Sequence, residues 1–327
     1  MGRQPVMSMR PWLAVLALAG TLALAAALVI LAGSLGGCSG PGQGRTQMHE
    51  VRMAVMAGNS DPRLAGRWTA YQTLLERATG LPVKLFHSSD YNGVIQAFAS
   101  NQVDVADLAP DSYANVDSQI GPLAAPILAI RDAEGQMGYY SAVVVRSDSP
   151  YHTLADLKGR SLVYPDLNST SGYLYPRARM RDQGIDPDSF FGKSGFSGGH
   201  TQSVMAVENG QFDAAVVYVS GGTPQAGFSA GPMFRLAQLG LVKPDDFRIL
   251  WSVGPIPNTA LSVRSDRPQW FIDQVRGAAA ALPYDDPQTW DDIGQLDGST
   301  YAAVDRDFYA GIIKLRAEDI ARHRGQM

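Results

Sequence analysis

Residues 161–180 read SLVYPDLNSTSGYLYPRARM, and three textures follow one another in that span. Ser161 to Tyr164 is a short, apolar, β-prone run, residues 166–173 are polar and small, and Leu174, Arg177 and Met180 then recur at helical spacing. The polar stretch therefore sits at a strand-to-helix junction, where the first backbone N–H groups of the helix lack partners within it. Ser169, Thr170 and Ser171 set three consecutive hydroxyls beside those N–H groups, and such a helix start favours a small anion by about 0.3–1 kcal/mol per charge. An ordinary helix cap needs only one hydroxyl, so composition alone leaves both readings open.

The alternation extends in both directions. Residues 51–57, 83–87 and 103–108 read as strands, with amphipathic helices over 66–79 and 91–100 between them. Further strands are expected at 141–146, 214–219 and 248–252, a short helix at 154–158, and closing helices at 268–282 and 305–322, with Pro268 suited to a first helical turn. Strands that alternate with helices predict an α/β body. Roughly 290 residues after the N-terminal segment exceed what one core usually organises, so two α/β lobes are expected.

The chain has 327 residues, of which 45% are hydrophobic, with 34 glycines and 20 prolines, as suits a globular protein rather than a disordered or fibrous one. Its N-terminus differs from the rest. Arg3 and Arg10 precede an apolar run from Trp12 to Gly33, and no acid appears before Glu50, which is the layout of an export signal over residues 1–37. The run ends in Leu35-Gly36-Gly37-Cys38, which resembles a bacterial lipoprotein lipobox and makes Cys38 the candidate lipidation site. An uncleaved anchor is the alternative, since about 20 apolar residues cross a bilayer. Either way the body lies outside the cytoplasm, tethered to a membrane through residues 38–49, whose SGPGQGRTQ composition is that of a flexible linker. Cys38 is the only cysteine, so no disulfide staples the fold. Losing the signal takes two from the 27 Lys and Arg and none from the 31 Asp and Glu, leaving a net charge of about −6 that argues against a nucleic-acid partner.

Gly195 to Gly199 fits G-x-S-x-G, but a nucleophile elbow needs a buried strand feeding the serine, and residues 188–194 read DSFFGKS. Only His200 and His323 follow Ser197, neither in a fitting position, so a Ser197 hydrolase is the alternative of another class. Gly192-Lys193-Ser194 lacks the glycine that a phosphate-binding P-loop needs at position 187, which is Pro187. The five histidines, at 49, 87, 152, 200 and 323, show no ligand spacing, so neither a metal nor another cofactor is expected.

Five blocks carry a more specific resemblance. DYNGVIQAF from Asp90, GYYSAVVVR followed by DSP from Gly138, NSTSGYL from Asn168, SGGH from Ser197 and PIPN from Pro255 occur in the order seen in periplasmic phosphonate-, phosphite- and phosphate-binding proteins of ABC transporters. The chain resembles this family over residues 50–258. The resemblance implies a two-lobed clamp of the type II periplasmic-binding kind, each lobe a mixed, mostly parallel sheet flanked by helices, with ligand in the cleft between them. Lobe 1 is then expected from 50–143 and 254–327 and lobe 2 from 144–253, the chain crossing near residues 142–145 and 251–255.

What the family's site implies here is a phosphorus oxyanion held by Ser169, Thr170 and Ser171 from one lobe and by Tyr91 and Tyr139 from the other, with His200 donating an imidazole N–H. None of these implied site residues is a Lys or Arg, so dipoles rather than a cation would hold the charge. The implied partners are an ABC permease with its ATPase, and a sensory receptor is the alternative within binding proteins. Relatives that bind aminoalkylphosphonates carry acids at the positions of Ser220 and Thr259; without them a buried ammonium would stay unpaired. Phosphite, phosphate or methylphosphonate is therefore expected over 2-aminoethylphosphonate. Thr201 and Leu167 depart from the family's usual Glu and Pro.

Overall fold

The computed structural model describes residues 48–56, 62–293 and 298–324; the export segment, Cys38 and most of the tether lie outside the described residues. Strands and helices alternate from the start as β1 (Val51–Met56), α1 (Pro62–Thr79), β2 (Val83–Ser88), α2 (Tyr91–Ala99), β3 (Val105–Leu108), α3 (Pro110–Ile120) and β4 (Ala124–Arg131). A second series holds β5 (Gly138–Arg146), β6 (Ser161–Tyr164), α4 (Tyr175–Asp182), α5 (Pro187–Phe190), β7 (Lys193–Phe196), α6 (His200–Glu208), β8 (Ala214–Thr223), β9 (Gly227–Ala230), α7 (Pro232–Gln238) and β10 (Phe247–Pro257). The chain closes with β11 (Ala260–Arg264), α8 (Gln269–Asp285), α9 (Pro287–Asp292), β12 (Thr300–Ala303) and α10 (Ala310–Arg324). Among the described residues no helix is long and apolar enough to cross a membrane.

Two sheets result, one in the order β12-β4-β11-β3-β1-β2, the other β10-β5-β8-β6-β7 with β9 paired to β8. Both are mixed: β1 runs parallel to β2 and β3, and β6 parallel to β7 and β8, whereas β11, β12, β5 and β10 join antiparallel. Each sheet is covered on both faces, which is why its strands read as nearly continuous apolar runs. On the first sheet Val51, Met53 and Val55 face Tyr71, Leu75, Phe271 and Val275, while Ala54, Ala106 and Leu108 face Phe98, Tyr113 and Tyr309. On the second, Val144, Val217 and Val219 pack on Val204, Val207, Met233 and Leu236, and Val143, Val145 and Val216 pack on Leu157 and Met180. Alternate residues of one strand thus feed opposite cores.

The expected α/β alternation is present, but the sheets are not mostly parallel, since β4, β5, β10, β11 and β12 all pair antiparallel; the other differences lie at element ends and in buried polar stretches. β5 and β10 are longer than the pattern suggests, because they pair antiparallel from Gly138 with Pro257 to Arg146 with Phe247. Pro268 caps α8 with an extended backbone (φ −56°, ψ 140°) instead of entering its first turn. Asp305 caps a separate 3-10 turn, Arg306–Tyr309, before α10 begins. Helix α3 escaped the periodicity because Asp111, Ser112 and Asp117 are buried on it and break its apolar stripe.

Candidate functional site

The site forms where β6 hands over to α4. After Tyr164 the chain turns through Pro165 and Asp166, whose carboxylate accepts the Asn168 N–H at 2.7 Å. Ser169 is extended and its Oγ accepts the Gly172 N–H at 3.0 Å, a helix cap made by one of the three hydroxyls. Residues Thr170–Leu174 form a wide π turn, and the N–H groups of Tyr173 and Leu174 both return to the Ser169 carbonyl. Gly172 is needed there, since a Cβ would collide with the Pro165 ring and come within 2.6 Å of Ser169 Oγ. From β5, Ser141 Oγ donates to the Ser171 carbonyl at 2.6 Å and ties the turn to the sheet.

All six expected residues come together around this turn. Ser169, Thr170 and Ser171 are buried, at 1–2% exposure. Tyr91 is the first residue of α2, which Asp90 caps by accepting the Gly93 N–H at 2.8 Å, and its phenol reaches the Ser169 hydroxyl. Tyr139, on β5, reaches the hydroxyls of Ser171 and Thr170. His200 opens α6, and its Nε2 lies 3.1 Å from Ser169 Oγ.

Burial sets the protonation of these groups. It raises the Tyr91 phenol well above its ordinary range and pushes Tyr139 up to about 12, so both keep their protons as donors at neutral pH. It lowers the His200 imidazole to about 3, so the ring is neutral and has one N–H. Its Nδ1 is buried without a hydrogen-bond partner.

Two contributors were not legible beforehand. Tyr218, on β8, sets its ring edge-on to His200 at 5.0 Å and to Tyr139 at 6.5 Å, closing one wall of the site. Its only sequence signal is an aromatic residue within the aliphatic run AAVVYV. Helix α3 contributes from the other sheet: the Asp111 N–H donates to Thr170 Oγ1 at 2.8 Å, and Asn115 Nδ2 donates to Asn168 Oδ1 at 3.4 Å. Arg316, on α10, clamps the Asp111 carboxylate through two nitrogens and holds that helix start in place.

Ser197 stands apart. Its Oγ donates to the Gly199 carbonyl at 2.9 Å and shares a hydrogen bond with Ser203 at 2.7 Å, while the imidazole of the same segment turns to Ser169. β7, which precedes it, is a largely exposed edge strand. With the orphaned Nδ1, no carboxylate orients His200 as a triad would require. Among the described residues no three His, Cys, Asp or Glu side chains converge as metal ligands. Chemically the site is a ring of neutral donors, suited to a tetrahedral oxyanion.

The profile of the family described as ABC transporter, phosphonate, periplasmic substrate-binding protein matches residues 53–309. The phosphate-import protein PhnD of Mycolicibacterium smegmatis is 28% identical over 272 residues, which cover 78% of this chain and 79% of the relative. Two crystal structures share the fold. A binding component of an ABC phosphonate transporter from Pseudomonas aeruginosa has a TM-score of 0.69 at 23% identity, over 82% of this chain and 86% of that one. PhnD1 of Prochlorococcus marinus, in complex with methylphosphonate, has a TM-score of 0.68 at 17% identity, over 83% and 98%.

Proposed function

The chain belongs to the family of periplasmic substrate-binding proteins of ABC phosphonate transporters, and from that premise we propose that it captures a small phosphorus oxyanion and delivers it to the transporter's permease. Phosphite, phosphate or an alkylphosphonate is the ligand, held by Ser169, Thr170, Ser171, Tyr91, Tyr139 and His200 without catalysis. The observation that supports this most is the convergence of three hydroxyls at one helix start with two protonated phenols and a neutral imidazole. Such donors match an anion's lone pairs, and a cleft built from both sheets lets the ligand favour the closed form.

In this reading the two sheets are the cores of two lobes, and the chain crosses between them just before Gly138 and just after Pro257, outside the crossings expected near 142–145 and 251–255, because β5 and β10 lie whole in the second sheet. Cys38 is the lipid attachment that keeps the receptor at the membrane, outside the cytoplasm. Ser220 and Thr259, half-buried and uncharged, leave a ligand ammonium unpaired, so compact oxyanions are preferred over 2-aminoethylphosphonate.

Isothermal titration of the purified protein with phosphite, phosphate, methylphosphonate and 2-aminoethylphosphonate tests the proposal. Saturable one-to-one binding of at least one of the first three, tighter than that of 2-aminoethylphosphonate, is expected. Tighter binding of the aminophosphonate would overturn the preference, and binding of none would overturn the function.

A further inference from the structure

The start of helix α3 carries a hydroxyl that the ring of six donors leaves unused. Ser112 is 2% exposed, and among the described residues its Oγ has no hydrogen-bond partner. Buried hydroxyls are as a rule paired, because burying one without a partner costs stability. The backbone beside it also lacks a cap from its own segment: Ala109 stands at the cap position and offers no side-chain acceptor, and Pro110 follows it. The N–H groups of this first turn therefore depend on groups outside the helix.

The contacts of its neighbours fix where Ser112 points. The Asp111 N–H, one residue earlier, donates to Thr170 Oγ1 at 2.8 Å, so the end of the helix abuts the three-hydroxyl turn. Asn115, one turn later on the same face, donates to Asn168 at the head of that turn at 3.4 Å. Val116, also one turn later, lies in the core that α3 shares with Val94, Ile95 and Phe98 of α2. Ser112 stands one turn before both and faces the angle between the oxyanion turn and α2. Helical side chains lean toward the N-terminus, which here is toward Thr170. In that same angle the Tyr91 phenol, from the first residue of α2, reaches the Ser169 hydroxyl. Other sides of the helix start are taken: the Asp111 carboxylate turns to Arg316, and the Tyr113 ring packs on Tyr309 at 5.0 Å.

We propose that Ser112 is a further ligand-binding residue, whose hydroxyl donates to an oxygen of the bound oxyanion from the side opposite Ser169, Thr170 and Ser171. This rests on the oxyanion-binding function proposed above and adds to it a contact that neither the sequence motifs nor the six expected residues contain. Two helix starts, one following each sheet's strand, then meet the same anion: the turn that opens α4 after β6, and the first turn of α3 after β3. Both turn the positive end of their backbone dipoles toward the charge. A ligand gripped by both joins elements of the two sheets, which is what favours a closed form on binding.

Ser112→Ala removes the hydroxyl, and Ser112→Cys keeps the shape with a weaker donor. Isothermal titration uses whichever of phosphite, phosphate and methylphosphonate wild type binds most tightly. Ser112→Ala should bind it about 10- to 100-fold more weakly, the loss of one charge-assisted hydrogen bond, with Ser112→Cys between the two. The melting temperature of ligand-free Ser112→Ala should equal or exceed that of wild type, because the hydroxyl it removes has no partner in the free protein. Loss of affinity without loss of stability is a pattern that a packing role does not produce. The proposal is overturned if Ser112→Ala binds as tightly as wild type, the result expected of a hydroxyl that only solvent pairs. It is equally overturned if the ligand-free melting temperature falls along with affinity, which would make Ser112 a support of α3 rather than a ligand contact. Wild-type protein that binds none of the three anions would instead overturn the function on which it rests, an outcome visible before any variant is made.

Discussion

Replacing Thr170 by valine keeps the shape of the side chain and removes its hydroxyl, with two calculable losses. The Asp111 N–H at the start of α3 loses its acceptor at 2.8 Å, a neutral hydrogen bond of about 0.5–1.5 kcal/mol. Because that N–H occupies a Thr170 lone pair, the hydroxyl proton points elsewhere. In the proposed function it points to a ligand oxygen, a charge-assisted bond of about 1.5–3 kcal/mol. The first loss is common to free and bound protein and shows as lower stability, so the second sets the affinity: binding weaker by about 1.5–3 kcal/mol, a Kd about 10- to 150-fold larger. Thr170→Ser retains the hydroxyl and should stay within about fivefold of wild type. Isothermal titration with whichever oxyanion wild type binds measures both, and a thermal melt of the free proteins checks the fold. A valine variant that binds as tightly as wild type would refute the reasoning, and so would a serine variant as weak as valine, which would place the role in the methyl group.

His200 supplies a pH prediction. Its imidazole, lowered by burial from 6.5 to about 3, contributes stability that is present above pH 6.5 and lost as pH falls toward 3, because the unfolded chain takes up the proton first. Melting temperatures between pH 7 and pH 4 should therefore fall less in His200→Gln than in wild type; equal slopes would contradict the assignment. Installing Glu at Ser220 and Asp at Thr259 together should improve 2-aminoethylphosphonate binding relative to phosphite, as read by competition titration, and an unchanged ratio would show that the ammonium lies elsewhere. Asp104, 2% exposed in its side chain and gripped by Arg52 and Arg267, should cost about 3 kcal/mol in urea unfolding when changed to Asn. A fluorophosphonate probe should leave Ser197 unlabelled, whose hydroxyl is spent within its own turn; labelling lost in Ser197→Ala would reopen the hydrolase reading.

The glycine-flanked stretch around Ser197 shows where sequence reading succeeds and where it stops. G-x-S-x-G fits a nucleophile elbow as a string, and the missing buried strand before it argued against that reading; the structure gives an exposed edge strand there. The string could not say that His200 leaves Ser197 and turns to Ser169, since that depends on where α6 begins relative to the loop after β6. Helix α3 was invisible for a similar reason. Its buried Asp111 and Asp117 are tolerable only because Arg316 and Arg306, far along the chain, reach them.

By itself the sequence determined the alternation of strand and helix, the three-hydroxyl turn between β6 and α4, and the family resemblance that grouped Tyr91, Tyr139 and His200 with it. Strand and helix periods depend on backbone hydrogen bonding and side-chain direction within a few residues, so they are written locally. Only the tertiary structure decided that the Asp111 N–H meets Thr170, that Tyr218 walls the site, and that Arg316 reaches back to Asp111. Those facts depend on which strands pair and which helix starts meet, and contacts between residues far apart in sequence leave no periodic trace in the chain.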